Sequence, residues 1–333
     1  MFRLSIVAAL AVACSGKTTD TAGDVVDQGC GITIDQTWPN SGAADFYYRD
    51  SASVTFSAED STASVSMVDA GGAEVPGTAA ADGKTITFTP DSALMSGSGY
   101  TLNVDYCGAD DTVAIPFSTS DLGGELTVDL VGMTYAVDIG SGNFVEPANV
   151  GELIGGLLEN NILIGITSAD ADQLGIRGAI SIEGSLNQDI CTESLESFPA
   201  ADFSNAPYFE IPEGDVSISV AGVSATIFGL RVSGTFAPDG SYFGGGEIAG
   251  QLDAGEIGPL LEGTIEDTSA AAVCNLLLGF GVSCVPCSSD ESRSECVTLE
   301  VNRLVASETE ETLLAVTAEE ATANSDAGTC TQE

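Results

Sequence analysis

Cysteine is the residue type in this sequence with the clearest capacity for chemistry. Cys284 and Cys287 form a C-x-x-C pair, and Cys274 and Cys296 flank that pair along the chain. Four thiolates at such spacing could bind a zinc ion, and the C-x-x-C pair alone could cycle between dithiol and disulfide. A structural zinc site usually contains two close cysteine pairs, whereas this segment has one. We therefore predict structural disulfides here and no bound metal.

Histidine, the usual proton carrier at neutral pH, is absent from the 333 residues. Its absence removes Ser-His-Asp and Cys-His catalysis and the H-E-x-x-H zinc site. Carboxylates are numerous enough to pair as they do in glycosidases, but no sequence signal selects a particular pair. The chain also lacks the G-x-S-x-G motif of many hydrolases. We predict that the protein is not an enzyme and has no catalytic residues and no cofactor.

Three short segments resemble ligand-binding loops, but each lacks a required feature. "GTAAADGKT" at residues 77–85 differs by one residue from the P-loop spacing. The segment that begins at Asp170 starts like an EF-hand loop, but Leu174 and Ser181 stand at ligand positions. "GGGEIAG" at residues 244–250 has strand-like sequence on both sides, where a dinucleotide-binding loop needs a helix. We predict a hairpin, a turn and a strand, respectively.

The N-terminal segment has the composition of an export signal. Arg3 precedes an apolar and small run at residues 4–13, which is too short for a spanning helix of about 20 residues. Residues 1–13 therefore indicate a short signal peptide. Residues 10–14 resemble the signal of bacterial lipoproteins, in which the cysteine receives the lipid, although Ala11 stands where a branched apolar residue is usual. Ordinary release after an A-x-A site would use the same bond.

The parity of the nine cysteines favours lipidation of Cys14, because a secreted chain tends to pair its thiols. Eight disulfide candidates then remain: Cys30, Cys107, Cys191, Cys274, Cys284, Cys287, Cys296 and Cys330. We expect Cys30 to pair with Cys107, whereas the other six allow fifteen pairings that the sequence does not distinguish. Residues 14–29 have the composition of a flexible tether. Ser15 is not the Asp that favours retention in the inner membrane, so we predict a bacterial outer-membrane lipoprotein facing the periplasm or the cell surface.

Acidic residues outnumber basic residues by 50 to 8 and are spread along the chain. Such a surface repels phosphate backbones, so we predict no nucleic-acid partner. The hydrophobic fraction of 44% argues against a disordered acidic polymer. The charge suits either general solubility or a salty environment, in which ions screen the self-repulsion. We favour the second explanation.

Residues 30–120 have the pattern of a small β-sandwich. Residues 54–56, 86–88 and 102–106 place apolar side chains at alternate positions, with turn-forming residues between the runs. The segments "WPNSGAADFYYRDSASVTFSAED", "VPGTAAADGKTITFTPDSALMSGSGYTLNV" and "IPFSTS" resemble the bacterial Ig-like domain named for the S-layer protein SbsA. This resemblance implies a seven-strand sandwich that serves as a spacer or adhesive module and has no catalytic residues.

Residues 121–306 predict a disulfide-rich antiparallel β barrel or sandwich with one or two short helices. A long strand is expected from Glu125 onward, and a helix with Asn149 as N-cap at residues 148–160. Further strands are expected at residues 161–169, 174–184, 214–253 and 296–306, and a second helix between an N-cap near Asp267 or Thr268 and Gly279 or Gly281. Residues 307–333 form an acidic C-terminal tail. The segment resembles a region of predicted lipoproteins from myxobacteria and their relatives, which implies no activity.

The fold class is therefore mainly β, with an N-terminal Ig-like β-sandwich before the barrel or sandwich. We expect a non-catalytic, lipid-anchored cell-surface protein whose Ig-like spacer presents a β-rich interaction domain. The alternative is a protein that binds a small apolar ligand or a peptide in the barrel interior or under its helix. Expected partners are the membrane, through the N-terminal lipid, and an unknown protein or surface polymer.

Overall fold

A computed structural model describes residues 31–108, 113–148, 160–196, 198–220, 223–261, 265–290 and 292–331. The chain divides into two units. The first unit comprises Met1–Ala43, Ser51–Asp91 and Tyr100–Phe117, and the second comprises Ala44–Asp50, Ser92–Gly99 and Ser118–Glu333. Among the described residues, no helix combines the length and the apolar character that crossing a membrane requires.

The first unit is a β-sandwich. Its strands are β1 (Ile34–Trp38), β2 (Ala52–Phe56), β3 (Ser64–Asp69), β4 (Gly77–Asp82), β5 (Thr85–Pro90), β6 (Gly99–Asp105) and β7 (Val113–Ser118). One sheet has the strand order β1-β2-β5-β4, and the other has the order β3-β6-β7. The Ig-like sandwich predicted from the sequence is confirmed.

The core of the first unit follows from the alternation of apolar residues. In β2, Ala52, Val54 and Phe56 are buried, while the residues between them are only half-buried. The Phe56 ring lies 5.6 Å from the ring of Tyr106, which follows β6 of the other sheet, so the two sheets share one core. Strands β4 and β5 pair along their whole length around Gly83, which confirms the hairpin predicted for residues 77–85.

The second unit contains an eight-stranded antiparallel barrel. The strands in this part of the chain are β8 (Thr134–Val137), β9 (Asn143–Glu146), β10 (Ile162–Ala169), β11 (Gln173–Ile180), β12 (Ala201–Asp202), β13 (Tyr208–Val220), β14 (Val223–Phe236), β15 (Tyr242–Asp253) and β16 (Cys296–Thr309). The ring runs in the order β15-β14-β13-β12-β11-β10-β8-β16, and the pairing of β15 with β16 closes it. Strand β9 lies outside the ring and pairs with the first half of β16. The sequence predicted an antiparallel barrel or sandwich, and the structure is a barrel.

Aromatic side chains fill the interior of the barrel. Tyr135, Phe209, Phe236 and Phe243 are each at most 2% exposed. The Phe236 ring lies 4.9 Å from that of Phe209, 5.2 Å from that of Tyr135 and 5.8 Å from that of Phe243. Rings at these separations combine a large buried area with favourable ring contacts. Side chains therefore occupy this part of the interior, which the sequence offered as a ligand site.

The strand expected from Glu125 onward begins later, at Thr134. A turn precedes it, in which Val131 N–H donates to Asp129 Oδ1 at 3.0 Å and Gly132 N–H donates to the Ile166 carbonyl at 2.8 Å. The Asp129 carboxylate thus offers the backbone a local partner in place of a strand ladder. The helix predicted over residues 148–160, with its cap at Asn149, lies outside the described residues except for its two end positions.

Three short α-helices occur among the described residues: α1 (Ala254–Ile257), α2 (Ala270–Leu278) and α3 (Ala318–Ala327). Helix α2 matches the second predicted helix, but its N-cap is Ser269, whose Oγ accepts from Ala272 N–H. Asp267, which was predicted as a cap, accepts from Ser269 N–H before the helix begins. Gly279, one of the two glycines predicted to end the helix, is the C-cap. Helix α3 was not predicted from the sequence.

The segment Ala44–Asp50 belongs to the second unit and packs against β14 and β15. The Tyr47 hydroxyl and Thr235 Oγ1 share a hydrogen bond at 2.7 Å. A Cβ added at Gly245 would come within 2.1 Å of Tyr47 Cζ, and Gly245 has a φ of +58°. Glycine is favoured there because it tolerates the left-handed conformation and leaves room for the ring. The glycine-rich stretch at residues 244–250 thus lies in a strand, as predicted.

We expect Gly245→Ala to destabilise the protein more than the matched control Gly281→Ala. Both glycines have positive φ angles, but a Cβ at Gly281 would meet nothing within 4 Å. The control therefore loses only the stability that a non-glycine residue costs in the left-handed conformation. Gly245→Ala should lose about 1–3 kcal/mol more, because its Cβ overpacks against the Tyr47 ring. Denaturant unfolding of both variants measures the difference. Equal losses of stability would show that the Tyr47 ring does not need the space at Gly245.

Candidate functional site

Three disulfides hold the second unit together in the part of the chain that the structure describes. They join Cys191 to Cys330, Cys274 to Cys284, and Cys287 to Cys296. The two cysteines of the C-x-x-C pair bond to different partners, and the four sulfur atoms considered for zinc are engaged in S–S bonds. The prediction of disulfides in this segment is confirmed. Cys107 is also disulfide-bonded, and the predictions for Cys30 and Cys14 lie outside the described residues.

The segment between β15 and β16 forms a corner that two of these disulfides cross-link. Arg293 pairs there with Asp253, whose Oδ2 lies 2.8 Å from Nη1, and with Glu256. Asp253 also caps α1 by accepting from Gly255 N–H. Hydrogen bonds that Arg293 donates to Glu256 and Asp253 raise the pKa of Arg293. This arginine therefore organises the corner, and its charge is not left for a ligand.

The end of the chain docks on the outer wall of the barrel. We call residues 311–331 the C-terminal strap. Leu313 and Val316 of the strap are each 5% exposed. Leu313 forms a cluster with three outer-wall residues of β8, β10 and β11: Ala136, Leu163 and Ala179. The strap thus covers apolar side chains that point away from the barrel interior.

Side chains from the loop that follows β11 bind the backbone of the strap. The Gln188 amide donates to the Leu314 carbonyl at 3.0 Å and accepts from Leu314 N–H at 2.8 Å. The Ser194 hydroxyl accepts from Val316 N–H at 2.8 Å, and Ser194 N–H donates to the Val316 carbonyl at 2.9 Å. Gln188 and Ser194 are both buried. These groups replace a partner strand, so the extended backbone of the strap is satisfied without a sheet.

The last part of the strap contains helix α3 and Cys330, which forms a disulfide with Cys191. Thr317 and Glu320 form a reciprocal capping box at the start of the helix. Asn324 Nδ2 donates to the Ile190 carbonyl at 2.8 Å, and Ile190 N–H donates to the Cys330 carbonyl at 3.0 Å. The bond between Cys330 and its partner Cys191 lies beside these contacts. The strap is therefore fixed at both ends, by β16 and by the disulfide.

Arg177 of β11 connects the strap to Glu196. Its Nη1 donates to the Leu313 carbonyl at 2.9 Å, while Nε and Nη2 donate to the two carboxylate oxygens of Glu196. This bidentate geometry gives a strong, oriented ion pair. The hydrogen bond from Arg177 lowers the pKa of Glu196.

A pocket opens beside the start of the strap. It has a volume of about 300 Å³ and is lined by residues 131–134, 165–167, 177, 312 and 313. Thr134 is fully buried, and its Oγ1 has no hydrogen-bond partner among the described residues. Sequence reasoning missed the pocket because distant parts of the chain build it. The one signal that could have indicated it is Arg177, a rare basic residue within an alternating strand, which was not singled out from the sequence.

Each basic side chain in the described part of the chain has an internal partner. Besides Arg177 and Arg293, these contacts are Arg49 over the Tyr208 ring at 3.7 Å, Lys84 to the Ser57 carbonyl at 2.7 Å, Arg231 to Glu247 at 2.6 Å and Arg303 to Asp50 at 3.9 Å. The net charge of the whole chain is −42. The surface is therefore strongly acidic, and its cations are engaged within the fold.

Comparison with known families gives one match: residues 30–119 match the bacterial Ig-like domain. This is a cell-surface type of domain. The matched range includes Ala44–Asp50 and Ser92–Gly99, which belong to the second unit. No curated protein matches the chain.

We expect the double variant Cys191→Ala/Cys330→Ala to lose more stability than Cys274→Ala/Cys284→Ala. The first bond spans 139 residues and the second spans 10, and closure of the longer loop removes more entropy from the unfolded chain. The expected losses are about 5 and about 3 kcal/mol. Denaturant unfolding measures both, and a smaller loss for the strap variant would contradict the docking of the strap by its disulfide.

The Arg177–Glu196 pair predicts a pH dependence. The folded pKa of Glu196 lies below its ordinary value of 4.5, so its contribution to stability is full above that value and is lost as the pH falls through the lowered pKa. At pH 7 we expect Glu196→Gln to cost about 0.5–1 kcal/mol, since the carboxylate is half exposed and screened. The cost should shrink and disappear as the pH falls through the lowered pKa of Glu196. The control Glu193→Gln removes a neighbouring charge, and an identical pH profile in both variants would refute the role of the pair.

Proposed function

We propose that the chain is a non-catalytic, lipid-anchored cell-surface protein in which an Ig-like spacer of the SbsA type presents the second unit. The observation that carries this proposal is the match of residues 30–119 to the bacterial Ig-like domain. The engagement of the described cysteines in disulfides supports it, because such bonds persist in exported proteins. The absence of histidine from the sequence also supports a non-catalytic role.

The anchor in this proposal is a lipid on Cys14 after removal of residues 1–13. The short apolar run before Cys14 and the odd number of cysteines support it. Ser15 supports sorting to the outer membrane, where the lipid would hold the protein facing the periplasm or the cell surface.

The proposed partner is a protein or a surface polymer. The acidic residues exceed the basic ones by 42 charges, and the basic side chains in the described ranges are engaged internally. Such a field attracts cationic groups and repels polyanions such as nucleic acids. Dissolved salt would screen the mutual repulsion of the acidic side chains on this surface. A partner with exposed amines or guanidinium groups fits this surface best.

A second candidate function is the binding of a small apolar ligand by the second unit. The observation that favours it is the pocket beside the strap, with its volume of about 300 Å³ and its apolar lining residues Val131, Met133 and Leu313. Because aromatic rings fill the interior of the barrel, we place this ligand site on the outer wall.

We expect Cys14→Ser to move the protein from the detergent-extracted membrane fraction to the soluble fraction. The variant lacks the thiol that would carry the lipid. Intact-mass analysis of the wild-type protein should show acyl groups on a chain that begins at Cys14. Ala11→Leu is the matched control, because it places a branched apolar residue at the usual position and should leave the protein in the membrane fraction. Retention of Cys14→Ser in the membrane fraction would contradict the proposal.

A further inference from the structure

The end of helix α2 exposes two large apolar side chains. Leu278 is 58% exposed and Phe280 is 49% exposed. Both lie within residues 268–289, which contain no Asp, Glu, Lys or Arg and form the longest run of this kind in the chain. We call Leu278 and Phe280, with Gly279 between them, the helix-end patch. An uncharged, apolar patch of this kind contrasts with the acidic composition of the rest of the chain.

Backbone hydrogen bonds fix the conformation in which the patch is exposed. Gly281 N–H donates to the Leu278 carbonyl at 3.0 Å, and Val282 N–H donates to the Leu277 carbonyl at 3.1 Å. Gly281 has a φ of +84°, so these are the two bonds of a Schellman motif around a left-handed glycine. The chain therefore turns sharply after Phe280.

The inner side of the same turn is packed and covalently closed. Val282 belongs to a buried cluster with Val273, and Leu277 packs against that cluster. The disulfide between Cys274 and Cys284 joins the helix to the chain after the turn. Exposure of the patch is thus a property of an ordered turn. Binding to it would cost little of the entropy that ordering a loose loop would lose.

The helix end favours a cation beside the patch. The C-terminus of a helix carries a partial negative charge from its free carbonyl groups, and α2 has no basic residue in its last turn. The nearest basic residue along the chain is Arg293, which pairs with Asp253 and Glu256. The segment therefore supplies no cation of its own for this helix end.

The charge of the protein selects among the molecules that would cover the patch. A second copy of the chain would bring one net charge of −42 against another, and a polyanion would also be repelled. A segment with Lys or Arg would instead be attracted. The centre of a protein interface is typically poor in charged residues and rich in aromatic ones, inside a polar rim, which matches an uncharged stretch with an exposed Phe280 and Leu278.

We propose that the helix-end patch is the contact surface for a protein segment that presents an apolar side chain next to a Lys or Arg. Leu278 and Phe280 bury the apolar side chain, and the cation lies at the C-terminal carbonyls of α2. This inference rests on the proposed function, in which the partner carries amines or guanidinium groups. It does not depend on the pocket beside the strap.

Three short amphipathic peptides test the patch on the oxidised, full-length chain with Cys14→Ser, which removes the site of the proposed lipid. The first consists of leucine and lysine, the second has glutamate in place of lysine, and the third has serine in place of leucine. Backbone amide shifts in NMR spectra, recorded at about 0.15 M salt to screen distant charges, report the place and the affinity of binding. We expect the leucine-lysine peptide to shift the amides of Leu278 and Phe280 and to bind more tightly than the other two.

The variant Leu278→Ser/Phe280→Ser removes the apolar surface of the patch. We expect it to bind the leucine-lysine peptide about tenfold more weakly, with a nearly unchanged melting temperature because both side chains are exposed. The matched control is Met95→Ser/Leu314→Ser, which removes two apolar side chains of the second unit that are 72% and 47% exposed and should keep the affinity. Phe280→Ala alone should give a smaller loss in the same direction, so the test stands even if the double variant does not fold.

Four results would overturn the inference. Equal affinity of the unaltered patch and the patch variant for the leucine-lysine peptide would reject the patch and preserve the proposed cationic partner, which would then bind elsewhere on the acidic surface. Equal affinity for the leucine-lysine and leucine-glutamate peptides would reject the cationic partner as well. A dimer in sedimentation that the patch variant cannot form would identify a second copy as the occupant. Flotation with phosphatidylcholine vesicles that requires the patch would identify a lipid surface.

Discussion

The pairing of β16 on both of its sides is the interaction on which the second unit depends. Ser307 pairs with Tyr242 of β15 on one side and with Ala136 of β8 on the other, and these two ladders close the ring. Closure removes the free edges of the sheet. It also gives each strand two faces. Side chains on the interior face pack among the aromatic rings of the core, and some side chains on the outer face are buried in a second cluster.

The strap continues from the strand that closes the barrel, and its docking fits the charge of the molecule. Its contacts with the wall use apolar side chains and backbone groups, with Gln188 and Ser194 as partners. An acidic segment can lie against an acidic protein in this way because its carboxylates need not face the wall. The resulting outer surface, rather than the packed interior, is where we place a ligand site.

Local patterns predicted most of the strands but not the contacts that build the site. Alternation identified β10, β11 and β13 to β16, because each has one interior face. The pattern from Glu125 onward predicted too long a strand, since the turn around Asp129 depends on the Ile166 carbonyl, far along the chain. The disulfide partners, the docking of the strap and the place of Tyr47 in the second unit also depend on contacts between distant residues. Arg177 was not singled out from the sequence, although a basic residue within an alternating strand is rare in this chain.

The central claim is that the strap is a covalently secured part of the outer wall, and amide hydrogen exchange at Leu314 and Val316 tests it most directly. Both N–H groups donate to buried side chains, Gln188 Oε1 and Ser194 Oγ. The account predicts slow exchange at both amides in the oxidised protein and much faster exchange in Cys191→Ala/Cys330→Ala, with the amides of β16 still protected. Fast exchange at both amides in the oxidised protein would contradict the account.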